Sequence, residues 1–359
     1  MEVTGAILKQ ARKDKGFVSL PLFAELAFIS HAHLWRVENN KRPVTLNVIE
    51  AYERVLGVEI MERRDLLKAL SVSAVVPVAL SEQVWEGIDR GLSGQISHDE
   101  WLSRLRYHAF TGIREGVISK QAEIIADLQV LQRTAHDPRD WGIVARMLVL
   151  HGTPVASIND NAACVRWSDL AARAAMRSED RDVQVWVLGR SANSHAHPSA
   201  DLRACESLAN KAIAVADGKP SVGLLDALVS KANVYALSGN PQAAAETLEK
   251  ASAVFDRAGT DSAAAEWDMP FWRWAANKGQ VLARAGHKEA PGWQDRADKA
   301  RPAEFARFAT HVELHRALVM TKQGDKEAGH TYAMSAMTKL PQERHSVALR
   351  RILAEVQAA

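Results

Sequence analysis

Two histidine pairs, His31-Ala32-His33 and His195-Ala196-His197, have the types and spacing closest to a metal site in this chain of 359 residues. A closed or catalytic zinc site needs three or four ligands. No acidic or cysteine ligand stands near the first pair, and the second reads as a loop running into Pro198. Cys164 and Cys205 have no metal-ligand spacing and are too few for a disulfide framework. A glycine-rich phosphate loop and a nucleophile elbow are both missing from the sequence. The expectation is therefore no enzyme, no catalytic residue, no metal and no cofactor. What remains is recognition chemistry. Residues 1–43 hold seven Lys or Arg against four Asp or Glu, while the whole chain carries only +2. The basic excess thus sits at one end.

Composition bounds the elements that must position these groups. Hydrophobic residues at 47% and charged residues at 25% are ordinary globular usage. Twelve prolines and twenty glycines are few for a β-protein of this length, and Ala, Leu, Glu, Arg and Lys stretches favour helix. The expected class is all-α, a cytoplasmic chain without a membrane span. The apolar stretch Leu66–Leu80 is shorter than the roughly twenty residues a bilayer requires. Before it, Arg63-Arg64-Asp65-Leu66-Leu67-Lys68 looks like a twin-arginine export motif, but it lies far from the N-terminus and is read as part of a linker helix.

Four short helices are expected in the first sixty residues: Gly5–Lys15, Leu20–Phe28 behind a Ser19 cap, His31–Glu38 behind Ser30, and Thr45–Leu56. Asn39 and Asn40 stop the third, since Asn tolerates the left-handed backbone of a helix end. Farther on, helices are expected over Glu82–Leu92, His98–Gly112 (with a Ser97/Glu100 capping box), Val117–Ala135, Arg139–Leu150 and Asn161–Arg177. From about Val183 the helices come in pairs. Ala232, Tyr235, Gly239, Ala244, Leu248 and Ala251 recur in spacing as Ala317, Met320, Gly324, Gly329, Ala333 and Ala336, and Gly279, Leu282 and Gly286 match the first half. Small residues let two antiparallel helices approach, and each pair buries its face only by stacking on the next.

Phe23-Ala24-Glu25-Leu26-Ala27, Ile29-Ser30, Leu34, Arg36-Val37-Glu38-Asn39 and Arg42-Pro43 resemble the helix-turn-helix of the Xre, or lambda-repressor-like, family. Two stretches depart from its pattern. Leu20 and Pro21 stand where the family has Gln, and Phe28 stands in the turn before the recognition helix, where it has Gly. The resemblance implies a double-stranded DNA operator as partner. The third helix would enter the major groove, with Ser30, His31, Ala32, His33 and Trp35 at or near base edges and Arg36, Asn39, Lys41 and Arg42 placed for phosphates.

The paired helices resemble the tetratricopeptide repeat, most clearly over residues 225–256 and 310–341. The expected organisation is a four- to five-helix head over residues 1–60, a linker helix over 61–81, and a right-handed repeat array over 82–359. Chains joining these two parts resemble peptide-sensing regulators of the RRNPP group and related actinobacterial regulators. That resemblance implies a homodimer whose repeat groove takes a short signalling peptide, with Asn193, Asn233 and Gln280 at inward positions and Arg273 in an aromatic segment holding Trp267, Phe271, Trp272 and Trp274. The competing expectation is a repeat-based adaptor that binds proteins and carries a degenerate head.

Overall fold

The computed structural model describes residues 4–27, 29, 31–42, 44, 48, 51–52, 55–56, 96–115, 121–155, 161–198, 200–261, 267–341 and 345–359. Among these residues every regular element is a helix. The chain divides into two compact units, Met1–Glu82 and Gln83–Ala359. The expected linker helix and the helix over Glu82–Leu92 lie outside the described residues.

In the first unit, α1 (Gly5–Asp14), α2 (Leu20–Ala27) and α3 (His31–Glu38) follow the expected spans closely, and Val48, Ala51, Tyr52, Val55 and Leu56 are helical as well. Thr4 caps α1 by accepting from the Ile7 amide at 3.4 Å. Leu8, Phe23, Leu34, Val37, Tyr52 and Leu56 form the core with Ala24, Ala27 and Ala51. At Gly5, α1 meets α3 so closely that a Cβ there would lie 1.9 Å from the Val37 carbonyl oxygen. α3 ends at Asn40, whose φ of 54° is left-handed, and its side-chain carbonyl accepts from the Gly5 amide at 3.1 Å. Phe28 and Ser30, in the turn before α3, lie outside the described residues.

The second unit runs through α4 (His98–Glu115), α5 (Gln121–Thr134), α6 (Pro138–Val155), α7 (Asn161–Arg177), α8 (Arg181–Ser194), α9 (Leu202–Ala216), α10 (Val222–Leu237), α11 (Pro241–Ala258), α12 (Phe271–Arg284), α13 (Ala290–Ala300), α14 (Ala306–Lys322), α15 (Lys326–Thr338) and α16 (Val347–Ala358). Ser97 caps α4 as expected, accepting from the Glu100 amide at 3.2 Å. Helices α6 to α15 pack as five successive pairs, and the first helices of neighbouring pairs stack on one another. This is a tetratricopeptide-like array of helix pairs. Gly239, Gly286 and Gly324 turn three of the pairs at φ of 75°, 68° and 102°, a backbone that L-residues adopt only at a cost of about 1–2 kcal/mol.

Two features differ from expectation. Pairing begins upstream of Val183, with α6 on α7, because Met147, Leu148, Ala171, Ala174 and Ala175 make that seam without the Gly-Ala signature of later copies. A closing helix, α16, packs on α14 and α15 through Leu349, Ile352 and Val356. Its signal was present in the sequence as a Ser346 cap ahead of apolar residues at helical spacing.

Candidate DNA interface and candidate ligand groove

α3 is a short helix with two opposed faces. Leu34, Val37 and Glu38 turn into the core, while His31, Ala32, Trp35 and Arg36 are exposed and His33 is half-buried. Lys41 and Arg42, just past its end, are exposed too. Trp35, 44% exposed, carries the Lys41 ammonium over its ring at 4.7 Å from the centroid. The Arg42 guanidinium lies 2.9 Å from His33 Nδ1. Asn39 has a different job: its amide donates to the Trp35 carbonyl at 2.7 Å and accepts from Lys9 at 3.3 Å. It fixes the helix end. Of the expected DNA-facing set, the structure brings His31, Ala32, His33, Trp35, Arg36, Lys41 and Arg42 to one exposed region; Ser30 lies outside the described residues.

What holds that region is a buried ion pair that the sequence analysis did not find. Arg12 is buried four residues past Leu8 on the same stripe of α1. Its Nε donates to Glu38 Oε1 at 2.6 Å and its Nη2 to Oε2 at 2.9 Å. Nη1 donates to the carbonyls of Phe17 and Val18, and the Tyr52 hydroxyl donates to Glu38 Oε1 at 2.7 Å. Glu38 thereby ties α1, the chain after it, and Tyr52 to the last turn of α3. Burial alone would raise the Glu38 carboxyl, but the hydrogen bonds from Arg12 and Tyr52 hold it below the usual carboxylate range. The bond to Glu38 raises Arg12, and burial together with the hydroxyl's own bond to Glu38 raises Tyr52. All three therefore keep one protonation state across neutral pH.

In the second unit, α10 carries a polar stripe, Asp226, Ser230 and Asn233, that is buried to 1% exposure or less. Asn193 of α8 donates to Asp226 Oδ1 at 3.4 Å. Asn233 is engaged on both sides, donating to the Val229 carbonyl at 3.2 Å and accepting from Arg284 Nη1 at 2.7 Å. Arg284 is the hub. It also donates to the Ala196 carbonyl at 3.0 Å and grips Glu355 of α16 with Nε at 2.9 Å and Nη2 at 2.8 Å. Gln280 is half-buried one turn before Arg284, and Arg273 is buried with Nη1 on the Asp268 carbonyl at 2.9 Å. Asn193 and Asn233 thus meet the α10 stripe, whereas Arg273 is held at the other end of α12. Arg284 and Glu355 are the polar residues that sequence reading missed; 71 positions separate them and no local pattern links them.

The other expected groups disperse. His195 Nε2 lies 3.2 Å from Ser168 Oγ and 3.5 Å from Cys164 Sγ, whereas His197 Nε2 lies 2.8 Å from Arg351 Nη1. Burial pushes His197 down to about 3, with Arg351 and Arg284 adding to it. His311 and His315 are also pushed down to about 3 by burial. Among the described residues no three His, Cys, Asp or Glu side chains form a group able to hold a metal ion. The aromatic segment divides as well. Trp267 meets Trp186 edge-on at 6.0 Å, Trp274 stacks on Phe255 at 5.4 Å, and Trp272 stacks on Phe305 at 5.2 Å. No described helix is long and apolar enough to cross a membrane.

No protein-family model matches the chain and no curated relative matches it. Among solved structures it is similar to Bacillus thuringiensis PlcR in complex with the peptide PapR7 and DNA, at 13% identity and a TM-score of 0.42, over 89% of this chain and 99% of that one.

Proposed function

We propose that this chain is a cytoplasmic, homodimeric, DNA-binding transcriptional regulator whose repeat unit senses a ligand, a short peptide in the leading version. The observation that carries the reading is the outward face of α3, where His31, Ala32, Trp35 and Arg36 stand together with Lys41 and Arg42 beside them. A helix of this kind fits the major groove of B-DNA, its first residues toward base edges. His31 can donate to or accept from a base, and Ala32 can meet a thymine methyl. Arg36, Lys41 and Arg42 supply phosphate contacts, which set register and most of the affinity. The buried Arg12–Glu38 pair keeps the face in place when its charges meet phosphate. In the repeat unit the α10 stripe is buried to 1% exposure or less and Asn233 is engaged on both sides, so a ligand would meet exposed groups of the array rather than this stripe. A ligand there changes operator binding only by a difference in its affinity for two states of the protein.

A second reading, an adaptor with a vestigial head, draws on a different surface. Leu22 and Leu26, one turn apart on α2, are 54% and 47% exposed, as a protein-binding face would be. Selection of bound fragments from a genomic library by the purified full-length chain, followed by footprinting, separates the two. A protected, salt-sensitive site supports the regulator. Binding no stronger than to random DNA supports the adaptor.

A further inference from the structure

We propose that the repeat unit holds a binding site for a small organic cation, a molecule with an apolar body and one ammonium or guanidinium group. The site is a cavity of about 510 Å³ between α4, the start of α12 with the turn before it, and the connection from α13 to α14. Its lining includes the rings of Phe110, Phe271, Trp272 and Phe305 and the side chains of Asp261 and Glu304. None of Asn193, Asn233, Gln280 or Arg273 is among the residues that line it.

The floor is rigid. Trp272 and Phe305 are stacked at 5.2 Å between centroids and 26° between planes, and both are almost wholly buried. Phe110 and Phe271 stand at 37% and 44% exposure, with apolar area still open to a ligand. The volume suits a molecule of modest size, since small-molecule sites run from about 300 to 1,000 Å³. Charge then selects among apolar molecules. Asp261 and Glu304 are exposed, and among the described residues neither has an ion-pair or side-chain hydrogen-bond partner. The flanking cations are directed elsewhere: Arg273 to the Asp268 carbonyl, Arg301 to Asp298 and the carbonyls of Pro302 and Phe305, and Arg307 to the Gly112 carbonyl. The lining therefore offers aromatic faces and two carboxylates, and no base. Ring faces attract cations through their quadrupole and carboxylates attract them by charge, while an anion of equal shape is repelled by both.

The test uses the intact chain without DNA, so its result is independent of the regulator reading. Phenethylammonium, phenylacetate and ethylammonium are titrated to the millimolar range, about 1 mM and above, with calorimetry and tryptophan fluorescence as readouts. Saturable binding of phenethylammonium, about tenfold or more tighter than either other probe, is expected from the combined ring and charge contacts. The double variant Asp261→Asn/Glu304→Gln should weaken it about tenfold, and Phe271→Ala by a similar factor. Both changes are at exposed side chains, and circular dichroism confirms the fold of each variant. Failure to saturate, phenylacetate binding as strongly, or an unchanged affinity in the carboxylate variant overturns the proposal.

Discussion

A buried guanidinium is stable only when its charge and its donors are both met, and Arg12 meets them through Glu38 and two backbone carbonyls. Removing one partner of such a pair costs about 3–5 kcal/mol, because the other is left charged and dry. Arg12→Ala or Glu38→Ala should therefore melt the head far below its normal temperature. The two units have separate cores, so a calorimetric scan should show one transition shifted and the other in place. A single transition moving as a whole would mean that the units do not unfold separately. The buried histidines set a different expectation. His197 and His315 have folded values of about 3 against an ordinary 6.5. Above pH 6.5 both are neutral folded or unfolded, and no stability is at stake. As pH falls from about 6.5 toward 3, the unfolded chain takes protons that the folded chain refuses, and stability declines. Urea titrations at pH 7 and pH 5 should show the repeat unit losing stability at the lower pH. His315→Gln should flatten that loss, and an equal loss in the variant would remove His315 from the account.

At the scale of elements, α3 has two faces and each should answer to its own variant. Arg36→Ala should weaken all DNA alike and reduce the salt slope by about 1, as loss of one phosphate contact does. His31→Ala should instead relax preference at one base pair, by about 1–3 kcal/mol. Competition binding against operator variants reads both, and an unchanged ranking with His31→Ala would contradict the docking of α3. Asn233 belongs to another element pair. Asn233→Ala would take one acceptor from buried Arg284, so the expected effect is a loss of about 1–3 kcal/mol in repeat stability, measured by urea unfolding. The spans of α1 and α3, the capping of α4 and the glycine turns at Gly239, Gly286 and Gly324 were all legible in the sequence, because each rests on neighbours within a few residues. Arg12 with Glu38 and Arg284 with Glu355 were not, because partners 26 and 71 positions apart leave no periodic trace. α6 and α7 were not read as a pair because their seam, through Met147, Leu148, Ala171, Ala174 and Ala175, lacks the Gly-Ala spacing of the later copies. Of the expected groove residues, Asn233 belongs to the buried α10 stripe and Asn193 donates to it, while Gln280 is half-buried one turn before Arg284 and Arg273 is turned to the Asp268 carbonyl.

For the whole molecule, the proposed regulator pairs a small head with a repeat unit that holds thirteen helices among the described residues. The proposed regulator would need two heads on half-sites roughly one helical turn apart, since a single head of this size reaches too few bases for operator affinity. The most direct measurement is footprinting of the full-length protein on its best-bound genomic fragment, repeated with Arg36→Ala and at two salt concentrations. The account predicts a two-fold related site, protected over two half-sites about 10 base pairs apart centre to centre, with protection that weakens as salt rises and weakens further in the variant. Protection of no fragment above the level of random DNA, or identical footprints for the wild type and Arg36→Ala, would contradict it.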